Sequence, residues 1–437
     1  MKVIVIGGGA AGFFGAIACA EAWPNARITI LEAGAQPLSK VRISGGGRCN
    51  VTHACFEPSQ LIQHYPRGSK ALRGAFSRFQ PKDTVDWFAQ RQVQLKTEDD
   101  GRMFPITDDS ETIIDALMTE AESLGVRIKT KAAVTHVAVS PAIADQHDAT
   151  CAATPDSTSP RAASNSCFTV ELRGGHTLTG DRLLLATGSN PKGYAIAHHL
   201  GHEIQSPVPS LFTFQIPDSH LHSLAGIAVE RVHAQLHCAG YPTIKQEGAV
   251  LITHWGLSGP AILKLSAWGA RQLHDCHYHA TLRVSWLPQH SIDDIRDTLL
   301  MFKQEHMKRA IATVNPFMFP RRLWEYLIHS STIDDQTQGG DRWANLSKKD
   351  VNRLAKTLTQ HEFEIHGKGT FKDEFVTCGG ISLKSVNFKT MESRLCSGLY
   401  FAGEVLDIDG VTGGFNFQSA WTTGWIAGHA MGKPAAI

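Results

Sequence analysis

The chain has 437 residues, 42% apolar and 19% charged, with a formal net charge of +1. That length suits two or three domains around a large core, and the whole-chain charge favours neither nucleic acid nor a membrane surface as partner. Nine cysteines, odd in number and without a CxxC pair, argue against a disulfide scaffold and a Cys-rich zinc site, and they suit a reducing cytosol.

Residues 3–6 (VIVI) read as a buried strand running into Gly7-Gly8-Gly9-Ala10-Ala11-Gly12. A helix follows over 13–22 and a second strand over 27–31, ending in Glu32. This is a complete dinucleotide-binding βαβ unit. Gly7 makes the tight turn, Gly9 keeps side chains off a pyrophosphate, Gly12 lets the helix approach the strand, and Gly15 extends that small face. The helix start offers N–H groups and a positive dipole end to phosphate. Glu32, twenty residues past Gly12, is placed to accept from a ribose hydroxyl. The apolar run at 3–6 is too short for a signal peptide, and no stretch approaches the roughly 20 apolar residues of a bilayer span.

The next signal is KVRISGGGRCN at 40–50. Three adjacent glycines predict a backbone lying against something flat or phosphorylated. Lys40, Arg42 and Arg48 add positive charge, which near a flavin ring stabilises the anionic reduced form. Cys49 between Arg48 and Asn50 is open to two readings: a thiol of lowered pKa that donates a proton to substrate or attacks it, or a small buried apolar side chain.

Helical patterning covers 58–92, with Pro81 at a helix start, and 113–124, capped by Asp109 or Ser110. Strands are expected at 126–130, 133–139, 168–172 and 176–179, with a long Ala/Ser/Thr/Asp/Pro-rich loop over 140–166. Residues 182–188 (RLLLATG) form a buried strand ending in small residues, of the kind that runs beneath a cofactor in doubly wound proteins. Strands of a separate β domain are read at 211–216, 229–238, 248–253 and 280–286. Helices with polar turns fill 289–358, and strands resume at 362–365 and 375–377.

Near the end, LYFAGE (399–404) is again a strand ending in small residues and an acid. Asp407, Asp409, Gly410, Gly413, Gly414, Asn416 and Gln418 follow, then a helix. Backbone donors at this second glycine-rich helix start suit the pyrimidine carbonyl of a flavin. Two such starts at opposite ends of the chain imply one extended cofactor, and FAD fits better than NAD. No second GxGxxG is present for a nicotinamide cofactor, so NADH or NADPH is expected as a transient reductant.

THWGLSGP at 253–260 presents His254 as a proton donor or a loop support. The 22 histidines include His198-His199 and His274, His277, His279, but no acid or Cys accompanies them at ligand spacing, so no metal site is expected. Residues 301–358 carry ten Lys/Arg against six Asp/Glu, and Arg67, Lys70, Arg73 and Arg78 form a second basic stripe. Phe76, Phe79, Trp324 and Trp343 are interleaved and of a type that stacks bases; a solvated helix face is the bland alternative.

These stretches resemble the HI0933-like, or BaiN-like, family of bacterial NAD(P)/FAD-dependent oxidoreductases. The likeness runs over essentially the whole chain through GGGAAG, RISGGGRCN, GRMFP (101–105), THWGLSGP, VTCGG (376–380) and GLYFAGEVLD (398–407). The resemblance implies an α/β protein with a Rossmann-like FAD-binding domain made from both chain ends (1–195 and 370–437). It also implies an inserted small β-barrel domain (196–288 and 359–369) and an inserted helical bundle (289–358). It implies cofactor contacts at Gly7, Gly9, Ala10, Ala11, Gly12, Glu32, Lys40, Gly46, Gly47, Arg48, Cys49, Asn50, Ala186, Thr187, Gly188, Gly403, Glu404, Asp409, Gly413, Gly414 and Asn416. Cys49 and His254 are the candidate catalytic acids.

The expected activity is NAD(P)H-dependent reduction of an activated C=C bond through FAD, in the cytoplasm. The favoured substrate is uridine in ribosomal RNA. The alternatives are an enone or amino-ketone as a small-molecule substrate, and a non-enzymatic FAD-bound assembly factor. Three departures from the family pattern stand out: Ser189-Asn190 where Gly commonly follows Gly188, His53 where Asn commonly follows Thr52, and a longer segment at 140–166.

Overall fold

The computed structural model describes residues 1–141, 166–331, 342–369 and 376–432. Most of the expected loop at 140–166 therefore lies outside the described residues. The chain forms two compact units, Met1–Pro207 with Val376–Ile437, and Val208–Phe375.

In the first unit, five parallel strands stand in the order Leu399–Phe401, Arg182–Leu185, Lys2–Ile6, Arg27–Leu31, Arg127–Lys129. The short antiparallel strands Glu392–Ser393 and Val386–Asn387 extend the first edge. The central strands are apolar without alternation because both faces are covered: Val3 to Ile6 and Leu183 to Leu185 are all buried.

The helix Ala10–Ala22 lacks a polar face, and every residue from Ala11 to Ala20 is buried. It lies between the sheet and the last helix, Phe415–Met431, and small residues set that approach. A Cβ on Gly428 would come within 2.5 Å of the Gly15 carbonyl oxygen and 2.7 Å of the Ala18 Cβ, and one on Gly15 within 2.6 Å of Leu184 Cδ2. The two chain ends are thus joined helix to helix.

Two features of this unit differ from expectation. The helical stretch 58–92 is broken into Pro58–Leu61, a 3-10 turn Ile62–His64, Ser69–Phe76 and Pro81–Ala89. Pro66 disfavours helix at the residue before it, and Gly68 turns left-handed (φ +81°). A three-stranded antiparallel sheet, Thr52–His53, Arg102–Pro105 and Leu95–Thr97, went unread because its strands are only two to four residues long.

The second unit holds an antiparallel sheet in the order His361–Ile365, Ala280–Ser285, Ala228–His237, Ile244–Thr253, Gly256–Ser258, Phe214–Gln215, Gly367–Lys368. Its two outer strands are separated in sequence only by His366, so the sheet curls back on itself. The helices Ile292–Glu305, Arg321–Ser330 and Lys348–Gln360 share one core with it. Leu282, Val284 and Trp286 of the sheet cluster with Ile295, Leu299, Leu323, Trp324, Leu327, Leu354 and Leu358. Among the described residues, the segment 289–358, expected as a separate helical domain, buries its apolar side chains in the core it shares with the strands. Its amphipathic stripe (Val351, Leu354, Ala355, Leu358) is buried in the core shared with the strands. The structure divides the chain at 207/208 and 375/376 rather than at 195/196 and 369/370.

Candidate functional site

The first turn is built by close approach. Gly7 has φ +109° and donates its N–H to Leu31 O at 2.9 Å; a Cβ there would run into the Ala186 carbonyl. A Cβ on Gly12 would run into Gly7 O. Gly9 differs: it is the N-cap of the first helix, without a side-chain cap, and a Cβ on it would meet nothing within 4 Å. The helix therefore opens onto free space at its positive end, where the first N–H groups have no intrahelical partner. Glu32 fixes this turn by accepting from Gly8 N (2.8 Å, Oε2) and Gly34 N (2.6 Å, Oε1). Each oxygen keeps another lone pair for a hydroxyl donor.

The RISGGGRCN stretch hangs from the same turn, since Leu38 N donates to Gly8 O at 2.8 Å. Expected as a loop, it is a helix, Ser39–Gly47, broken at Ser44 to Gly46, where Ser44 is extended and Gly45 and Gly46 are left-handed. Gly46 and Gly47, like Gly9, have nothing within 4 Å of a would-be Cβ. Lys40 Nζ reaches Glu404 Oε2 at 2.6 Å and Ser189 Oγ at 3.3 Å, while Glu404 Oε1 accepts from Thr377 N at 3.0 Å. Lys40, Ser189, Thr377 and Glu404 therefore meet from four separate segments.

Arg48 departs from expectation. Its guanidinium pairs with Glu98 at 2.7 Å and Asp108 at 3.5 Å and stacks 4.1 Å over Phe104. Its charge is largely answered by protein carboxylates. Cys49 follows the second of its two readings, a small buried side chain: it is 0% exposed, and burial pushes its thiol up to about 12 despite a hydrogen bond with Ser44. Desolvation outweighs that hydrogen bond, so the thiol stays protonated. Asn50 bridges Gly414 N and Thr52 O at 3.0 Å each through its amide.

Beyond the third strand, Ala186 abuts Gly7 and Gly188 is left-handed (φ +58°), with Glu404 Oε2 3.5 Å from its would-be Cβ. Thr187 Oγ1 and the Tyr194 hydroxyl are buried and have no hydrogen-bond partner among the described residues. Burial and the carboxylates of Glu404 and Asp407 push the Tyr194 phenol up, so it stays protonated. Tyr194 is not among the residues expected at the site from sequence; its sequence signal is the GY pair at 193–194.

The second glycine turn leads into the last helix, whose N-cap is Gly414 (φ +89°). Gly403 N donates to Thr423 Oγ1 at 2.9 Å. A Cβ on Gly413 would lie 2.8 Å from the Phe415 ring. Asp409 is 0% exposed and takes Arg67 in a two-pronged ion pair, Nε to Oδ1 at 2.5 Å and Nη2 to Oδ2. Asn416 clamps Gly410 through its N (2.8 Å) and O (2.9 Å). Asp409 and Asn416, read from sequence as cofactor contacts, thus brace the turn that presents Gly413 and Gly414. Gln418, buried, accepts from Thr52 Oγ1 (2.6 Å) and Thr84 Oγ1 (2.9 Å), tying the helix to the 40–92 segment.

His254 is exposed in the second unit, beside a cleft of about 390 Å³ lined by Gln215, Ile216, Pro217, His222, His254, Trp255 and His366. The expected base-stacking aromatics are not available: Phe76, Trp324 and Trp343 are fully buried and Phe79 nearly so. Trp324 and Trp343 belong to the core shared with the strands of the second unit, and Phe76 lies on the buried face of the helix Ser69–Phe76.

A family model described as the HI0933-like protein Rossmann domain matches residues 1–430. The chain belongs to the HI0933-like family. It is an enzyme, a FAD-dependent oxidoreductase. A ribosomal RNA dihydrouridine synthase of Haemophilus influenzae is 29% identical over 433 residues, 98% of each chain. A 3-dehydro-bile acid delta(4,6)-reductase of Clostridium scindens is 27% identical over 444 residues, 99% of each. Among solved structures, a 3-ketosteroid-delta4-(5alpha)-dehydrogenase of Rhodococcus jostii RHA1 aligns over 99% of this chain and 97% of its own, at 12% identity and TM-score 0.48. The first unit fits FAD on its own geometry. Gly9, Gly46 and Gly47 face open space, Glu32 keeps acceptor capacity, and two glycine-capped helix starts belong to helices packed on one another.

Proposed function

We propose that this protein uses NADH or NADPH to reduce an activated C=C bond, with uridine in ribosomal RNA as substrate. Bound FAD supplies the hydride chemistry. Gly9, Ala10 and Ala11 hold its pyrophosphate at the first helix start, Glu32 a ribose hydroxyl, and Gly46 and Gly47 lie along it. Gly403, Glu404, Gly413 and Gly414 contact its far end, with Lys40 neutralising Glu404. Asp409, Asn416 and Asn50 shape that end without contacting it. The observation carrying this reading is the open glycine cradle at Gly9, Gly46 and Gly47, hung together by the Leu38–Gly8 hydrogen bond. Cys49, fully buried, is not proposed as the proton donor. Uridine is preferred over other C=C substrates because a full-length relative is named for dihydrouridine synthesis in ribosomal RNA.

A second reading, reduction of a small enone, is supported by the burial of Trp324, Trp343, Phe76 and Phe79, which removes the expected stacking platform. A second full-length relative is named for a bile acid reduction. Mass mapping of ribosomal RNA from a deletion strain tests the first reading. Loss of one dihydrouridine, restored by the gene, is expected; unchanged dihydrouridine with turnover of an enone by the purified enzyme supports the second.

A further inference from the structure

Residues 58–82 contain five cations, Arg67, Lys70, Arg73, Arg78 and Lys82, and no carboxylate, in a chain of net charge +1. The fold spends one of them internally: Arg67 pairs with buried Asp409. The other four are exposed. Lys70 and Arg73 stand three apart on the outer side of the helix Ser69–Phe76, whose Leu72, Ala75 and Phe76 face inward. Arg78 donates to the Lys389 carbonyl, which brings a fifth exposed cation, Lys389, alongside.

Beneath this surface the segment packs on the last helix. Phe79 stacks on Trp425 at 5.3 Å, and Thr422 Oγ1 donates to Phe79 O at 3.0 Å. The Arg67–Asp409 pair anchors the start of the basic helix to the same turn that presents Gly413 and Gly414.

We infer that Lys70, Arg73, Arg78, Lys82 and Lys389 form a phosphate-tracking face that docks an RNA strand beside the cofactor turn. The inference rests on the ribosomal RNA reading above and assigns its docking surface. A row of exposed cations with no apolar platform follows a nucleic-acid backbone and carries no sequence information, so base choice is left to other residues. The basic face of the helices in the second unit is not needed for it: Arg321 is paired with Glu325 at 2.8 Å and Lys303 donates to Leu346 O at 2.6 Å.

The test measures binding of a uridine-containing ribosomal RNA hairpin to the full-length FAD-loaded protein over a salt series. The double variant Lys70→Glu/Arg73→Glu should bind about tenfold or more weakly and lower the slope of log affinity against log salt by about 1–2. Its flavin content and thermal midpoint should match wild type, and Lys70→Arg/Arg73→Lys should retain affinity. The control Lys348→Glu/Lys349→Glu should bind as wild type. If wild type binds and the Lys70/Arg73 reversal binds equally with the same slope, the assigned face is wrong while the substrate reading stands. If wild type shows no salt-sensitive binding, the ribosomal RNA reading falls and this face with it.

Discussion

Gly9 and Gly428 are both glycines in the βαβ and terminal-helix signatures, yet the structure gives them opposite duties. Gly9 sits in extended backbone (φ −94°) with space around it, so Gly9→Ala costs the fold little and intrudes on the proposed pyrophosphate site. FAD affinity should fall about tenfold or more, read by flavin retention on dialysis, with the apoprotein's thermal midpoint unchanged. Gly428→Ala places a methyl 2.5 Å from the Gly15 carbonyl and should cost about 1–3 kcal/mol of stability in denaturant titration. Cys49 makes the third residue-scale case. Its buried, protonated thiol should resist iodoacetamide in the native protein at mildly alkaline pH while partly exposed Cys55 is modified first. Alkylation of Cys49 ahead of Cys55, mapped by mass spectrometry, would contradict that burial.

At the scale of elements, ion pairs and buried rings decide where segments lock. Arg67 holds the 403–418 turn through Asp409, a carboxylate with no exposure. Arg67→Ala should cost about 3–5 kcal/mol, because a buried charge loses its guanidinium partner. In the second unit, His361 accepts from Trp286 Nε1 at 3.2 Å and packs 4.2 Å from Phe363. Burial lowers its pKa from 6.5 to about 4. The unfolded chain takes up a proton near 6.5 and the folded one only near 4, so stability declines as pH falls between them, by on the order of 3 kcal/mol, and is unaffected above. Chemical denaturation across that window should show the decline, and His361→Phe should flatten it.

These elements also show what was legible. The apolar runs at 3–6 and 183–185 are legible as strands because fully covered parallel strands need no polar alternation. The breaks in 58–92 and the two-residue strands at 52–53 are not, because their periods are too short to register.

For the whole molecule, FAD binding should stabilise the fold by mass action, since the proposed site draws on segments near residues 9, 32, 46, 188, 404 and 414. Adding FAD to the apoprotein should raise its melting temperature in a concentration-dependent way, by about 2.7 kcal/mol of stability at a hundredfold excess over the dissociation constant. NADH or NADPH alone should not reproduce the rise. An unchanged melting temperature with FAD would remove the cofactor assignment.

The sequence by itself determined the cofactor class and the family, because glycines at turns answer to local backbone geometry: a Cβ at Gly12 collides with the Gly7 carbonyl inside its own βαβ unit. It also determined that both chain ends contribute. Only the tertiary structure decided which charged residues are spent internally. Arg48 and Arg67 look alike with Lys70 and Arg73 in the one-dimensional pattern, yet Glu98 and Asp409 arrive from 50 and 342 residues away to claim them. The same holds for Trp324 and Trp343, whose burial depends on strands distant in sequence. Long-range pairing and burial are set by packing, and no window of neighbouring residues encodes them.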